Sequence, residues 1–197
     1  MVAALKSALV FCLLTAVLAV AHPHVFVDAT VKVLFDNGGF VGIENRWVFD
    51  EIYSRAMMSS GDADGDGKIS AAENDWFRKA ILEQLKPNNY YNYVQRGASF
   101  MKEEGLKNFR ATFQNNRLVL DFVVAFSSAV EADYTMLVVV VDDRTNYIQI
   151  TTDMENADVE APDAVDVDFF NDEIKGLSLF TSFRSNIEGL FLRYKKK

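Results

Sequence analysis

The chain has 197 residues, half of them apolar and sixteen of them Phe, with 20 Lys and Arg against 28 Asp and Glu for a formal charge of −8. A chain so rich in apolar side chains buries a core of its own and is not a disordered tail. Its negative charge repels nucleic acid and anionic lipid and attracts cations, which argues against a nucleic-acid partner.

Lys6 precedes an apolar run over residues 8–20, and Ala19-Val20-Ala21 is a small-x-small site. This is the layout of a secretory signal peptide, and about a dozen apolar residues are too few to cross roughly 30 Å of hydrocarbon. Residues 1–21 are therefore expected to be removed, leaving 22–197 as one domain in the periplasm or outside the cell, without stable membrane insertion. Cys12 leaves with the leader, because Phe11 before it is too bulky for lipoprotein processing. The mature chain then reaches an oxidising compartment with no cysteine to staple it.

From Val25 the residues alternate. Val25, Val27, Ala29, Val31, Val33 and Phe35 share one face, and Asp28, Thr30, Lys32 and Asp36 share the other. That is a half-buried strand, and Asp36-Asn37-Gly38-Gly39 turns it into a second one carrying Val41, Ile43, Trp47 and Phe49 inward. Residues 50–60 read as a helix capped by Asp50, with Ile52, Ala56 and Met57 inward. A second helix runs from Ser70 through Trp76, Phe77, Ile81 and Leu85 and stops before Pro87. Beyond it, aromatic and β-branched runs at 90–94, 109–113, 118–126, 134–141 and 147–151 read as strands, with Asn115-Asn116 as a hairpin turn. A last hairpin is expected from 177–183 and 187–194. Residues 153–173 hold nine carboxylates and no Lys or Arg, the composition of a solvated loop or a cation-collecting or docking face, and Lys195-Lys196-Lys197 is a solubilising tail. The fold class is α+β: an antiparallel sheet domain with an inserted EF-hand-type helix–loop–helix over 50–86.

The most specific motif is Asp62-Ala63-Asp64-Gly65-Asp66-Gly67-Lys68-Ile69-Ser70-Ala71-Ala72-Glu73, which matches the twelve-residue calcium loop at each diagnostic position. Calcium takes six to eight oxygens. Carboxylates from Asp62, Asp64 and Asp66, the Lys68 carbonyl, Ser70 through its hydroxyl or a water, and both oxygens of Glu73 supply them. Gly67 allows the sharp turn, Ile69 points to the core, and Ser70 with Glu73 forms a capping box for the second helix. A solvated acidic turn would explain one or two aspartates but not the whole pattern. Regulatory loops of this kind come in pairs, and no second loop is found, so the ion is expected to be structural.

Only two histidines are present, His22 and His24, and removal of residues 1–21 makes His22 the first residue. The free amine and two imidazoles bring three nitrogen donors together, which suits zinc, nickel, cobalt or copper rather than calcium. Pro23 has no N–H to lose, so the square-planar amide mode is blocked, and Asp28 is a candidate further ligand. The alternative is that His-Pro-His simply begins a solvated edge strand. Catalytic signals are missing: no mature cysteine, no histidine elsewhere for a triad, no phosphate-cradling glycine loop and no HExxH.

Ala21-His22-Pro23-His24-Val25, Arg46-Trp47-Val48-Phe49-Asp50-Glu51, the loop 62–73 and Tyr90-Tyr91-Asn92-Tyr93-Val94 resemble an uncharacterised bacterial family of exported proteins. Its members are described as periplasmic components of an ABC-type transport system and accompany inner-membrane nickel, cobalt or zinc transporters. The resemblance implies a non-catalytic periplasmic accessory of transition-metal transport, with a metal permease as partner and His22 and His24 as metal residues. The competing readings are a calcium-stabilised interaction module whose histidines are incidental, and a copper oxidase using the terminal histidine.

Overall fold

The computed structural model describes residues 25–145, 147–184 and 186–197. The predicted leader and the His22 and His24 site lie outside them. Among the described residues eleven strands form two sheets, with a helix–loop–helix inserted between β2 and β3. β1 (Val25–Asp36) buries the expected six residues and pairs antiparallel with β2 (Gly39–Phe49), Val27 opposite Phe49 and Val33 opposite Ile43. At the turn between them, Asp36 Oδ1 accepts from the N–H groups of Gly38 and Gly39 at 2.7 and 3.1 Å. A register shift between Phe40 and Gly42 interrupts the expected alternation of β2, so that Phe40 goes inside while Val41 is only half-buried.

β5 (Gly105–Gln114) and β6 (Arg117–Ala129) form the hairpin read from Asn115-Asn116, whose φ angles of 52° and 62° are those a two-residue mirrored turn requires. The first sheet runs β5-β6-β2-β1-β8, and β9 (Asp158–Glu160) pairs with β1 beyond β8 (Ile148–Thr152). It is not wholly antiparallel as expected: β8 and β9 both run parallel to β1. The cause is connectivity, since the chain enters β8 from a strand of the other sheet instead of turning back beside its neighbour.

The second sheet is antiparallel, in the order β10 (Val165–Glu173), β11 (Glu188–Lys196), β7 (Thr135–Val141), β3 (Asn92–Arg96), β4 (Ser99–Phe100). The acidic stretch expected to be a loop therefore supplies β9 and the edge strand β10. Of the last expected hairpin only the second arm is a strand. The first arm instead turns as a 3-10 segment, Ser178–Phe180, and lays Phe180 and Phe183 over Tyr93 and Val140 on the outer face of the sheet. Those apolar groups would otherwise face water, which is the physical reason for the cover. The lysine tail is also held, with Lys196 N–H donating to the Glu131 carbonyl and Lys195 Nζ 4.5 Å above the Tyr134 ring.

Between the sheets lies one continuous core. Trp47 is fully buried, with Phe122 edge-on at 5.1 Å and Tyr91 stacked at 6.4 Å, while Phe35 meets Tyr194 across the sheets at 4.9 Å. Two buried amides join the layers as well, Asn45 Nδ2 donating to Asn92 Oδ1 at 3.0 Å.

The first helix, α1 (Glu51–Gly61), is capped by Asp50 as read from the sequence. Its inward face is one position out from the expectation at two of three residues: Tyr53, Ser54, Met57 and Met58 are turned inward, Gly61 is buried against the second helix, Ala56 is exposed and Ile52 is 85 % exposed. Hydrogen bonding fixes this phase. Ser54 Oγ donates to the Asp50 carbonyl at 2.6 Å and accepts from Leu118 N–H at 2.8 Å, so α1 must present Ser54 to β6.

The second helix is shorter than expected. α2 (Ala71–Phe77) widens into a π turn over Arg78–Leu82 and narrows into a 3-10 stretch over Glu83–Tyr91 that contains Pro87. The wide turn lets Phe77, Ile81 and Leu82 all reach the core. Asn89, Tyr90 and Tyr91 then take φ of 52°, 53° and 59°, so β3 begins at Asn92 and not at Tyr90. Left-handed backbone costs about 1–2 kcal/mol per non-glycine residue. Burial of both tyrosine rings, and a 2.8 Å bond from Asn92 Nδ2 to the Tyr90 carbonyl, hold the turn in place.

Ser54→Ala leaves the buried Leu118 N–H without its acceptor and should destabilise the chain by about 1–3 kcal/mol, whereas Ile52→Lys should stay within about 0.5 kcal/mol. Urea unfolding of the two variants checks this, and equal losses would contradict the observed helix phase.

Candidate metal centre

The loop between the helices begins where α1 ends. Asp62 is the C-cap of α1, its N–H donating to the Met58 carbonyl at 2.9 Å, and Ser70 is the N-cap of α2. Gly61 lets the two helices close on each other: a Cβ there would lie 2.6 Å from the rings of Trp76 and Phe77. Ile69 is half-buried against the core, as its position in the motif requires. The two ends of the loop are thus fixed by packing, and the nine-residue interval between them must close within that span.

Within it, six backbone N–H groups hold four carboxylates. Asp62 accepts from Gly65 and Gly67 at 2.9 Å each, Asp64 from Asp66 at 3.1 Å, and Asp66 from Lys68 at 2.7 Å. Glu73 spans both ends, Oε1 accepting from Ala63 N–H at 2.7 Å and Oε2 from Ser70 N–H at 2.8 Å. The reciprocal bond from Glu73 N–H to Ser70 Oγ completes the capping box. Gly67 sits at φ +76°, left-handed backbone that a branched residue resists.

One oxygen from each of Asp62, Asp64 and Asp66 lies within 4.8 Å of the others. Two oxygens each about 2.3–2.6 Å from a shared calcium ion are at most about 5 Å apart, so this spacing fits one such ion. The donors are all oxygen, hard ligands that suit calcium or magnesium and not a soft metal. Hydrogen bonds from Ser70, first its backbone N–H and then its hydroxyl, with a further one from Ala63 N–H, hold the Glu73 carboxyl below its ordinary value and keep it ionised. Of the other expected ligands, Lys68 gives its N–H to Asp66 and Ser70 caps α2.

Asp28, the candidate third side-chain ligand of the terminal site, is on the outer face of β1 and accepts from Arg117 Nη2 at 2.8 Å. It lies three residues past Val25, about 10 Å along the strand. His22 and His24 are outside the described residues.

Two fully buried acids went unremarked in the sequence. Asp143 closes the corner between β7 and β8 by accepting from the N–H groups of Thr145, Tyr147 and Ile148 and from the Thr145 hydroxyl. Asp142 is paired with Arg184, although burial pushes its carboxyl up against the opposing effect of that guanidinium. An Asp-Asp pair at the end of an apolar run is their only trace in the sequence. Both act on the fold. No helix among the described residues is long and apolar enough to cross a membrane.

A family model described as "Protein of unknown function (DUF1007)" matches residues 7–171, well over half of the chain. The chain belongs to the DUF1007 family. The segment shared with DUF1007 takes in both helices, the whole loop and strands β1 to β9, and ends within β10. Comparison with curated proteins gives no match.

The ionised Glu73 finds its N–H partners only in the folded chain. Its stabilisation is therefore fully present above the ordinary glutamate value of about 4.3 and is lost as pH falls through the lower folded value. Thermal melts from about pH 3 to 7 should show a shallower acid limb for Glu73→Gln than for the parent. Superimposable limbs would show that the loop does not hold this carboxylate.

Proposed function

We propose that this DUF1007 chain is an exported, non-catalytic metal-binding protein in which a calcium ion at Asp62–Glu73 staples the helix pair. The observation that carries the reading is the convergence of the Asp62, Asp64 and Asp66 oxygens within 4.8 Å, in a loop whose backbone already orients them. Charge repulsion among these groups is relieved by a cation, and the Lys68 carbonyl, Ser70 and both Glu73 oxygens complete an oxygen shell of the size calcium takes. Because α1 and α2 are short and meet closely only around Gly61, an ion in the loop that links them acts on the stability of the whole insert.

The reading extends to transport. Removal of residues 1–21 would expose a His22 amine and two imidazoles, a nitrogen set suited to zinc, nickel, cobalt or copper, at a site separate from the oxygen loop. In this proposal the chain passes such a metal to or from an inner-membrane permease in the periplasm. What supports it is the His22-Pro23-His24 start and the resemblance described for the family's exported members. Asp28 would have to leave Arg117 to join the set.

Calcium at about one hundred times its dissociation constant should stabilise the parent by about 2.7 kcal/mol, and Glu73→Gln should lose most of that gain. A parent melting temperature indifferent to calcium would reject the staple. Calorimetric titration of the processed chain with zinc, nickel and copper should show a site that the double variant His22→Ala/His24→Ala lacks. Equal binding by parent and double variant, or a mature chain beginning elsewhere than His22, would leave a calcium-stabilised interaction module as the function.

A further inference from the structure

We infer that the free edge of β10 takes up an extended segment of a partner protein, one that alternates apolar and basic residues, as an added antiparallel strand. The inference is independent of both metal sites. β10 pairs with β11 in unbroken register from Val165 opposite Lys196 to Glu173 opposite Glu188, and no strand covers its other side among the described residues. A strand of nine residues presents about 30 Å of ladder.

Natural edges are blunted by shortness, bulges, charged side chains (lysine above all) or proline. The other edges of this fold follow that rule. β4 has two residues and β9 three, β8 has five, and β5 carries a register shift and a lysine, Lys107. β10 is neither short nor bulged and has no lysine or proline; its one guard is its acidic side chains, which repel a like strand but not a basic one. It also exposes aromatic surface at its middle on both faces, with Phe169 46 % and Phe170 61 % exposed. Phe170 stacks on Phe191 of β11 at 5.2 Å, Val138 of β7 lies opposite Phe191, and Met136, 67 % exposed, lies one row along, opposite Arg193. Three strands thus share a hydrophobic surface that opens onto an unpaired backbone.

Charge selects the occupant. β10 carries Asp166, Asp168, Asp172 and Glu173 and no Lys or Arg. Asp168 is paired with Arg193, and Asp166 accepts from the Tyr134 hydroxyl, but no cation pairs with Asp172 or Glu173 among the described residues. A second copy of β10 laid antiparallel would set carboxylates against carboxylates, which is destabilising across a strand pair. An incoming strand with lysine or arginine at alternate positions meets Asp166, Asp168 and Asp172, which share one face, while its other side chains cover Phe169 on the opposite face, the pattern of strand addition in which backbone bonds give affinity and alternate side chains give selectivity.

The probe is a labelled peptide of about ten residues alternating valine and lysine, followed by fluorescence anisotropy, with a valine–glutamate peptide as control. The parent should bind the basic peptide at least about tenfold more tightly than the acidic one. The variant Asp172→Lys/Glu173→Lys should lose about tenfold, while the charge-matched Glu104→Lys/Glu155→Lys, exposed and elsewhere, should not. Amide exchange of residues 167–172 should slow on binding. Equal loss in both variants, no change in exchange, or a parent that dimerises through β10 in sedimentation would each overturn the inference.

Discussion

The structure depends on the carboxylate of Asp50. One oxygen accepts from Phe26 N–H at 3.0 Å and the other from Tyr53 N–H at 2.9 Å, while the Asp50 N–H donates to the Phe26 carbonyl at 3.0 Å. A single side chain therefore ties the start of β1 to the end of β2 and caps the first turn of α1. Caps of this kind contribute about 1 kcal/mol, but here the same group also sets the angle at which the helix leaves the sheet. One turn later Ser54 fastens α1 to β6 through the Leu118 N–H. Everything between the sheet and the loop at 62–70 is oriented by these two polar contacts, with Met58 and Gly61 buried.

The loop inherits that orientation at one end and receives a second anchor at the other, where the capping box of α2 is built from Ser70 and Glu73. Its four carboxylates are not left to repel one another in water. Backbone N–H groups hold them in fixed directions, so an arriving cation meets oxygens already placed. Preorganisation of this type lowers the ordering cost of binding. One carboxylate, Glu73, serves both the helix and the loop: it caps α2 and closes the loop by joining Ala63 to Ser70.

The two sheets solve a different problem. Half of the residues are apolar, and a single sheet would leave one wide face wet. The second sheet covers the first around Trp47, and the 3-10 segment at Ser178–Phe180 covers part of the second in turn. Coverage stops at β10, where Phe169 and Phe170 stay exposed beside acidic residues. That unfinished edge differs from the others in kind.

Local chemistry was legible in the sequence wherever a short stretch decides its own conformation. The β1–β2 turn, the Asn115-Asn116 hairpin, the Asp50 cap and the capping box each depend on residues within a few positions of one another, and all are seen in the geometry, as is the convergence of the Asp62, Asp64 and Asp66 oxygens. The α+β class followed from the two periodicities. Tertiary structure decided what depends on distant partners. The phase of α1 is set by Leu118, sixty-four positions away, so Ile52 faces water despite its apolar side chain. The second helix breaks into π and 3-10 turns because Phe77, Ile81 and Leu82 must all reach one core. The acidic stretch becomes an edge strand because β11 offers it a backbone to pair with, a long-range hydrogen-bonding gain that no local composition encodes.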